Sequence, residues 1–269
     1  MPHPQLVFLD VDGTYAHHGV VPDAHVRAVR AARRGGAIVL LCTGRPISAL
    51  PDTLTGAGFD GYVCSAGAYA VLGEQILLDI RFPVELAARV VAVLDKHGTH
   101  YILESPEGLF AGQGDADMLN RARHAYDPER RSDEQIQELG ASQHVDFAKV
   151  VCLGGDTPLV EVAREIGPEV AIVPTAIPEV GEGAGEIYLA HITKAIGMRA
   201  VMEALRVDRE YVIAFGDGLN DVEMLELAGT GVAIEGSDPR VLAAADRTAR
   251  GPEHDGLAAA FAELGLTGD

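Results

Sequence analysis

Short apolar runs alternate with amphipathic stretches near both ends of the chain. Residues 5–10 (QLVFLD), 37–44 (AIVLLCTG) and 211–218 (YVIAFGDG) each hold a continuous apolar run. Residues 23–34 and 194–207 instead place apolar side chains at the spacing of one helix face. Buried strands that alternate with amphipathic helices are typical of a parallel sheet covered by helices on both faces. The two ends of the chain therefore predict an α/β fold with a doubly wound parallel sheet.

The middle of the chain has a different pattern. Residues 83–98 (PVELAARVVAVLDKHG) predict a strong helix that ends at a glycine, and short alternating strands follow it. Residues 115–140 are polar, charged and helix-prone. Strand pairs mixed with two or three helices indicate an α+β unit. We therefore predict one core domain, built from residues 1–82 and 190–269, with an α+β domain of residues 83–189 inserted into it.

Charge and composition restrict the partners. The chain has 269 residues and a net charge of −19, so it repels phosphate backbones and anionic membrane surfaces. We expect no nucleic-acid partner and no membrane partner. No signal segment is visible, and Cys42, Cys64 and Cys152 lack metal-ligand spacing, which favours reduced, buried thiols in a cytoplasmic protein. We expect a monomer or a homodimer.

Carboxylates follow two of the predicted strands. Asp10 ends the first apolar run and Asp12 lies two positions later, so both side chains can face one point past the strand. Asp217 ends a second buried strand, and Asn220 and Asp221 follow it at the start of a helix. Ligands of open parallel sheets bind outside the carboxyl ends of the strands. The sequence therefore predicts a cluster of oxygen ligands at this edge of the sheet.

A third strand delivers different groups to the same edge. The run of residues 37–42 continues into Thr43, Gly44 and Arg45, which add a hydroxyl and a cation at the strand end. Clustered carboxylates repel one another, and a hard divalent cation such as Mg²⁺ relieves that repulsion. Each pattern alone has a simpler interpretation, since Asp-Gly pairs form turns and Asn or Asp caps helices. Together the three strand ends predict a magnesium site.

These motifs resemble those of the haloacid dehalogenase (HAD) superfamily phosphatases, in the Cof-type branch (subclass IIB). DVDGT (residues 10–14) resembles the first motif, TGR (residues 43–45) the second and GDGLND (residues 216–221) the fourth, while Lys194 in HITKA stands where a phosphate-binding lysine is expected. The resemblance covers the whole chain, most loosely in residues 83–189. It implies a Rossmann-like core and an inserted α/β cap domain of the C2 type.

The resemblance also implies catalytic roles. Asp10 is expected to attack the phosphorus of a small phosphorylated metabolite, such as a sugar phosphate, and to form an aspartyl-phosphate. Asp12 is expected to protonate the leaving oxygen and then to deprotonate the attacking water. The Asp10 side chain, the Asp12 backbone carbonyl and Asp217 are expected to bind Mg²⁺ directly, with Asp221 supporting the ion through water.

Five further residues are implied in phosphate or substrate binding. Thr43, the Gly44 amide and Lys194 are expected to stabilise charge on the phosphoryl oxygens, and Arg45 adds a cation beside them. Asn220 is expected to orient the loop or the phosphate. Lys194 is one of only three lysines in the chain, which fits a dedicated role.

One departure from the family and three alternatives stay open. Ala66 stands in SAGA where the family often has asparagine, so an amide that contacts substrate or loop is missing. A phosphomutase would use the same aspartyl-phosphate but return the phosphoryl group to a sugar. A non-catalytic phosphometabolite-binding protein would keep the fold without needing the acid/base Asp12. A nicotinamide dehydrogenase is disfavoured because the first strand lacks GxGxxG.

Overall fold

The structure divides into two compact units. It is a computed structural model that describes residues 5–112, 114–126, 135–139, 145–174 and 181–267. The first unit contains the described residues up to Arg45, then Leu50–Asp79, and then those from Thr193 onward. The second unit contains Pro46–Ala49 and the described residues from Ile80 to Ile192.

The strands and helices follow the predicted alternation at both ends of the chain. In chain order, the strands of the described chain are β1 (Leu6–Leu9), β2 (Ile38–Cys42), β3 (Gly61–Cys64), β4 (Tyr69–Leu72), β5 (Gln75–Asp79), β6 (Tyr101–Ser105), β7 (Gly108–Ala111), β8 (Ile136–Glu138), β9 (Lys149–Leu153), β10 (Val170–Pro174), β11 (Ala184–Leu189), β12 (Val212–Gly216), β13 (Thr230–Ile234) and β14 (Arg247–Ala249). The helices are α1 (Asp23–Arg34), α2 (Asp52–Thr55), α3 (Val84–Lys96), α4 (Ala116–Tyr126), α5 (Leu159–Ile166), α6 (Lys194–Leu205), α7 (Val222–Leu227), α8 (Pro239–Ala243) and α9 (Gly256–Glu263).

An eight-stranded sheet forms the first unit. Its strand order is β14-β13-β12-β1-β2-β3-β4-β5. The strands from β14 to β3 are parallel, whereas β4 and β5 pair antiparallel at one edge. This arrangement confirms the predicted α/β fold with a doubly wound parallel sheet. It places β1 in the centre, between β12 and β2, so that the carboxyl ends of all three strands lie at one edge.

Helices cover both faces of this sheet. Val7 and Leu9 point into an apolar layer that contains residues of α1 and α9. Leu6 and Phe8 point into a second layer with residues of α6, α7 and α8. Successive strand residues alternate between faces, so a strand buried on both sides needs a continuous apolar run. This requirement explains why β1 is LVFL and why polar residues begin only where the strand ends.

One apolar run contains two strands. Residues 61–72 (GYVCSAGAYAVL) have the apolar pattern of a single strand, but they contain β3, a 3₁₀ turn at Ser65–Gly67 and the antiparallel β4. The backbone reverses because Ser65 and Ala66 adopt left-handed φ angles of 50° and 55°. Neither residue type signals that conformation, since it is uncommon for any residue with a Cβ atom.

A six-stranded sheet forms the second unit. Its order is β10-β11-β9-β6-β7-β8, and every neighbouring pair except β7–β8 is antiparallel. Within the helix-prone stretch of residues 115–140, the structure shows α4 and then the short strand β8. Residues 127–134 and 140 lie outside the described residues. None of the described helices is both long enough and apolar enough to span a membrane.

Candidate active site

Three carboxylates meet where β1 and β12 end. The register pairs Leu9 with Phe215, and the Asp10 amide donates to the Phe215 carbonyl at 2.9 Å. Asp10 therefore lies beside the end of β12, which Asp217 follows directly. Asp10, Asp217 and Asp221 each offer a carboxylate oxygen, and these oxygens lie within 4.8 Å of one another. The structure thus brings the carboxylates of the first and fourth motifs together, as the sequence predicted.

Lys194 bridges two of these carboxylates. Its Nζ donates to Asp10 Oδ1 and to Asp221 Oδ1, both at 2.5 Å, and its side chain is 1% exposed. Burial alone lowers the pKa of a lysine, but the attraction of Asp10 and Asp221 outweighs this effect and raises the pKa of Lys194. The ammonium group therefore stays charged and lies against the predicted nucleophile.

Asp221 fixes the loop after β12. Its Oδ2 accepts hydrogen bonds from the backbone N–H groups of Asp217, at 3.1 Å, and Gly218, at 2.9 Å, while Oδ1 accepts from Lys194. Asp221 is fully buried, so these bonds replace hydration that its carboxylate loses. Because both oxygens are engaged, Asp221 orients Asp217 and Lys194. This contribution was not predicted from the sequence.

Thr14 and Gly13 complete the contact between the two motifs. The Thr14 hydroxyl donates to Asp217 Oδ1 at 2.9 Å. Gly13 has a φ of +93°, and a Cβ atom there would lie 2.3 Å from Asp217 Oδ2. Glycine is therefore required by both the turn and the close approach of the aspartate. The sequence did not predict the hydrogen bond from Thr14 to Asp217. The DGT spacing was the available signal.

Asp12 lies outside the carboxylate cluster. Its side chain is 54% exposed and pairs with Arg45, whose Nε and terminal nitrogen donate to the two carboxylate oxygens at 2.9 and 2.6 Å. This bidentate geometry is the strong form of an arginine–carboxylate contact. The structure therefore joins the first and second motifs through Asp12 and Arg45, a contact that the sequence did not predict.

The remaining predicted site residues differ in their burial. Thr43 is 1% exposed, and its Oγ1 accepts the Arg45 backbone N–H at 3.2 Å. Gly44 lies between them and is partly buried, whereas Asn220 is exposed in the 3₁₀ turn Leu219–Asp221. Thr43 and Gly44 follow β2, the direct neighbour of β1, so the second motif reaches the same edge of the sheet as the first.

The electrostatics of the cluster favour a bound cation. Burial raises the pKa of Asp10, and Asp217 and Asp221 raise it further, although Lys194 opposes them. Burial, followed by the charge of Asp221, likewise raises the pKa of Asp217 despite the Thr14 hydrogen bond. Three carboxylates face a single ammonium group, so negative charge is left uncompensated. An oxygen-only set of this kind fits Mg²⁺, a hard cation that prefers carboxylates and water.

The comparisons with known proteins agree with this geometry. The family model of the haloacid dehalogenase-like hydrolases matches residues 7–261. The chain belongs to this family. The resemblance that its motifs predicted is therefore confirmed, and the chain is an enzyme of the hydrolase class.

Similar proteins extend over nearly the full length of the chain. YkrA of Bacillus subtilis (strain 168), provisionally named a phosphatase, is 26% identical over 269 residues, with 97% of this chain and 98% of YkrA covered. The pyridoxal phosphate phosphatase YbhA of Escherichia coli (strain K12) is 26% identical over 257 residues, covering 90% of this chain and 92% of YbhA. The solved structure of the HAD subclass IIB sugar phosphatase BT4131 has a TM-score of 0.81 at 23% identity, with 97% and 99% covered, and shows a shared fold.

Proposed function

We propose that the protein is a Mg²⁺-dependent phosphatase that hydrolyses a small phosphorylated metabolite through an aspartyl-phosphate on Asp10. The observation that carries this proposal is the placement of Asp10. Its carboxylate lies against a buried lysine and within 4.8 Å of two further carboxylates. A nucleophile held beside one fixed cation and one metal-binding cluster suits attack on an anionic phosphoryl group.

The reaction has two steps at phosphorus. In the first, an Asp10 oxygen forms a bond to phosphorus while the ester oxygen leaves as an alcohol and takes a proton from Asp12. In the second, water attacks the phosphorus, Asp12 accepts a water proton, and Asp10 is released with inorganic phosphate. Arg45 occupies both oxygens of Asp12 in this structure. Asp12 has to carry the donated proton on one of its own carboxylate oxygens. Arg45 must therefore release that oxygen first.

Magnesium would be held by the carboxylates at the ends of β1 and β12. We assign direct binding to Asp10, the Asp12 backbone carbonyl and Asp217, with Asp221 acting through water and through the loop that it fixes. The ion would supply positive charge that draws the phosphate to Asp10 and offsets charge in the transition state. Thr14 and Asp221 hold the Asp217 loop for this purpose.

The phosphoryl oxygens would be bound by groups on three elements. Lys194 supplies a fixed charge, and Thr43 and the Gly44 amide supply hydrogen-bond donors at the end of β2. Arg45 is one residue further along and would pair with the phosphate once Asp12 is released. Asn220 is exposed in the turn after β12, and we assign its amide to orienting the loop or the phosphate.

The names of two similar proteins support a substrate class. YbhA is named for pyridoxal phosphate and BT4131 for sugar phosphates, and both names describe phosphate esters of small molecules. We propose a substrate of that class, such as a sugar phosphate. We further propose that residues 1–82 and 190–269 form the catalytic core domain and that residues 83–189 form a cap domain of the C2 type.

Hydrolysis of p-nitrophenyl phosphate, followed by a panel of phosphorylated metabolites, tests this function. We expect release of inorganic phosphate with Mg²⁺ and none with EDTA. Interconversion of hexose phosphates without phosphate release would favour the phosphomutase alternative. Tight binding of a phosphometabolite by calorimetry, with no turnover over hours, would favour the non-catalytic binding protein and contradict the proposal.

A further inference from the structure

The turn after β3 has an unusual backbone. Ser65, Ala66 and Gly67 are consecutive residues with φ angles of 50°, 55° and 105°. Two of them carry a Cβ atom, which makes a left-handed conformation costly. The Ser65 hydroxyl is also buried and has no hydrogen-bond partner among the described residues. The turn thus carries both strain, which clusters at functional sites, and an unpaired buried hydroxyl, which is rare in folded proteins.

Two backbone hydrogen bonds tie this turn to the second motif. The Ser65 N–H donates to the Arg45 carbonyl at 2.9 Å, and the Ala66 N–H donates to the Thr43 carbonyl at 3.1 Å. Both bonds require the reversed backbone, because the amides of two successive residues point back toward the same loop. The conformation of the turn therefore sets the position of Thr43 and Arg45.

The same turn contacts the start of α6, where Lys194 lies. A Cβ atom on Gly67 would lie 2.0 Å from the Thr193 carbonyl oxygen and 2.9 Å from Lys194 Cα. A Cβ atom on Gly197, one helical turn later, would lie 2.4 Å from Val63 Cγ1 and 3.1 Å from the Gly67 carbonyl oxygen. Two glycines therefore allow the first turn of α6 to approach the Ser65–Gly67 turn closely.

We propose that the Ser65–Gly67 turn is a positioning element that holds Lys194 and the Thr43–Arg45 loop at the separation that phosphate binding requires. It does so through the two backbone hydrogen bonds on one side and the Gly67–Thr193 contact on the other. This inference rests on the proposed function for its catalytic consequence, but its structural claim concerns the position of Lys194 alone. Gly67 is the key residue because any side chain there displaces the start of α6.

Three glycine variants test the proposal. Gly67→Ala introduces both left-handed strain and the clash with Thr193. Gly73→Ala is the matched control, because Gly73 has a φ of +57° and nothing within 4 Å of its Cβ position. Gly197→Ala adds its methyl group on the α6 side of the same contact, and alanine favours the helix, so this variant keeps the test open if Gly67→Ala fails to fold.

The readouts are crystal structures and calorimetric titration with inorganic phosphate in the presence of Mg²⁺, supported by kcat and KM for p-nitrophenyl phosphate. We expect Gly67→Ala and Gly197→Ala to move Lys194 Nζ away from Asp10. We also expect them to weaken phosphate binding by about tenfold or more, since a displacement near 1 Å can cost about 10²-fold in such sites. Gly73→Ala should change neither the position of Lys194 nor the affinity for phosphate.

The outcomes separate the two proposals. A wild-type protein that binds phosphate but hydrolyses no ester would contradict the phosphatase function, while the turn would still be judged by phosphate binding and by the Lys194 position. If the wild type also fails to bind phosphate, the position of Lys194 in the crystal structures alone decides whether the turn has a positioning role. Folded Gly67→Ala and Gly197→Ala proteins with Lys194 unmoved would overturn the positioning role.

Discussion

Each unit of the molecule buries one lysine between two carboxylates, and only one of these lysines lies in a candidate active site. Lys194 in the first unit donates to Asp10 and Asp221 and is 1% exposed. Lys149 in the second unit contacts Glu186 Oε1 at 2.7 Å and Glu104 Oε2 at 3.1 Å and is 3% exposed. Burial lowers the pKa of each ammonium group, but the two carboxylates outweigh it and raise both pKa values.

The two lysines differ in their place in the fold. Lys149 begins β9, opposite Glu104 in the register of β6 and β9, and its carboxylates come from neighbouring strands of one sheet. Lys194 begins a helix, where the positive end of the helix dipole disfavours a cation. Its carboxylates lie directly after β1 and in the 3₁₀ turn that follows β12, and they meet a third one, Asp217.

A buried lysine with two carboxylates is therefore not by itself evidence of a catalytic site. Glu104 and Glu186 exceed Lys149 by one negative charge, and the Glu186 side chain is 37% exposed to solvent. At the ends of β1 and β12, Asp217 adds a third carboxylate beside Lys194, so the excess is two negative charges, and the start of a helix supplies backbone N–H groups. A position at the carboxyl edge of a parallel sheet, rather than a buried ion pair, is therefore the feature that indicates function.

Replacing Lys194 tests the catalytic side of this comparison and should have the largest effect. Lys194→Met removes the fixed charge beside Asp10 while keeping a side chain of similar length. We expect kcat/KM for p-nitrophenyl phosphate to fall by about 10²–10³-fold, the cost of losing one preorganised donor at a phosphoryl or oxyanion site. Turnover within a factor of two of the wild type would show that the lysine does not contact the phosphoryl group.

Replacing Lys149 tests the structural side. Lys149→Met leaves Glu104 and Glu186 without their cation, and the free energy of unfolding should fall by about 3 kcal/mol. We use the lower end of the usual range because the Glu186 side chain is 37% exposed. Urea unfolding measures this loss.

The control for this variant is Lys96→Met, which removes an exposed ion pair with Glu165 and should leave the unfolding midpoint unchanged. We expect the folded Lys149→Met protein to keep its kcat. A large loss of kcat without a loss of stability would remove the distinction between the two lysines.

His25 is a third buried ionisable group, and unlike the two lysines it forms no hydrogen bond to a carboxylate of the described residues. Its Nδ1 lies 2.9 Å from the Tyr15 carbonyl oxygen, which can only accept, so Nδ1 carries the hydrogen. Burial lowers the pKa of His25, although the Tyr15 hydrogen bond and Asp255 oppose it. The unfolded chain therefore binds more protons than the folded one once the pH falls below about 6.5.

Stability should consequently fall as the pH is lowered from 7 toward 5, with a slope from this group of at most about 1.4 kcal/mol per pH unit. His25→Asn keeps a donor near Nδ1 but does not titrate. Urea unfolding of both proteins at several pH values measures the difference. If the free energy of unfolding changes with pH at the same slope in the wild type and in His25→Asn, the lowered pKa of His25 is contradicted.

The smallest expected effect concerns the strained turn near Lys194. Ala66 has a left-handed backbone, and asparagine tolerates that conformation better than alanine does. Ala66→Asn should raise the free energy of unfolding by about 0.5–1 kcal/mol, a part of the roughly 1–3 kcal/mol that such strain costs. A lower unfolding midpoint in urea would mean that Ala66, which is 9% exposed, has no room for the amide.

The sequence predicted those parts of the molecule that depend on short-range patterns. Continuous apolar runs identified β1, β2 and β12, and the residues directly after these strands identified the carboxylate cluster. The parallel core and the family followed from these patterns. The short edge strands β5 and β14 were missed, since sheet pairing rather than their composition stabilises them.

Contacts between distant side chains were beyond the sequence. The bond from Thr14 to Asp217 and the ion pair of Asp12 with Arg45 join residues 203 and 33 positions apart. Residue types alone do not reveal which of several nearby partners a side chain selects. The left-handed turn at Ser65 and Ala66 was missed for a related reason, because tertiary hydrogen bonds to Thr43 and Arg45 impose it.

The most direct test of the account is the turnover of Asp10→Asn, measured beside the wild type with p-nitrophenyl phosphate and Mg²⁺. Asparagine keeps the size of the side chain but is a poor nucleophile, so we predict a folded protein with an unchanged circular dichroism spectrum and no measurable phosphate release. Retained turnover in the folded variant would exclude Asp10 as the nucleophile and contradict the proposed mechanism.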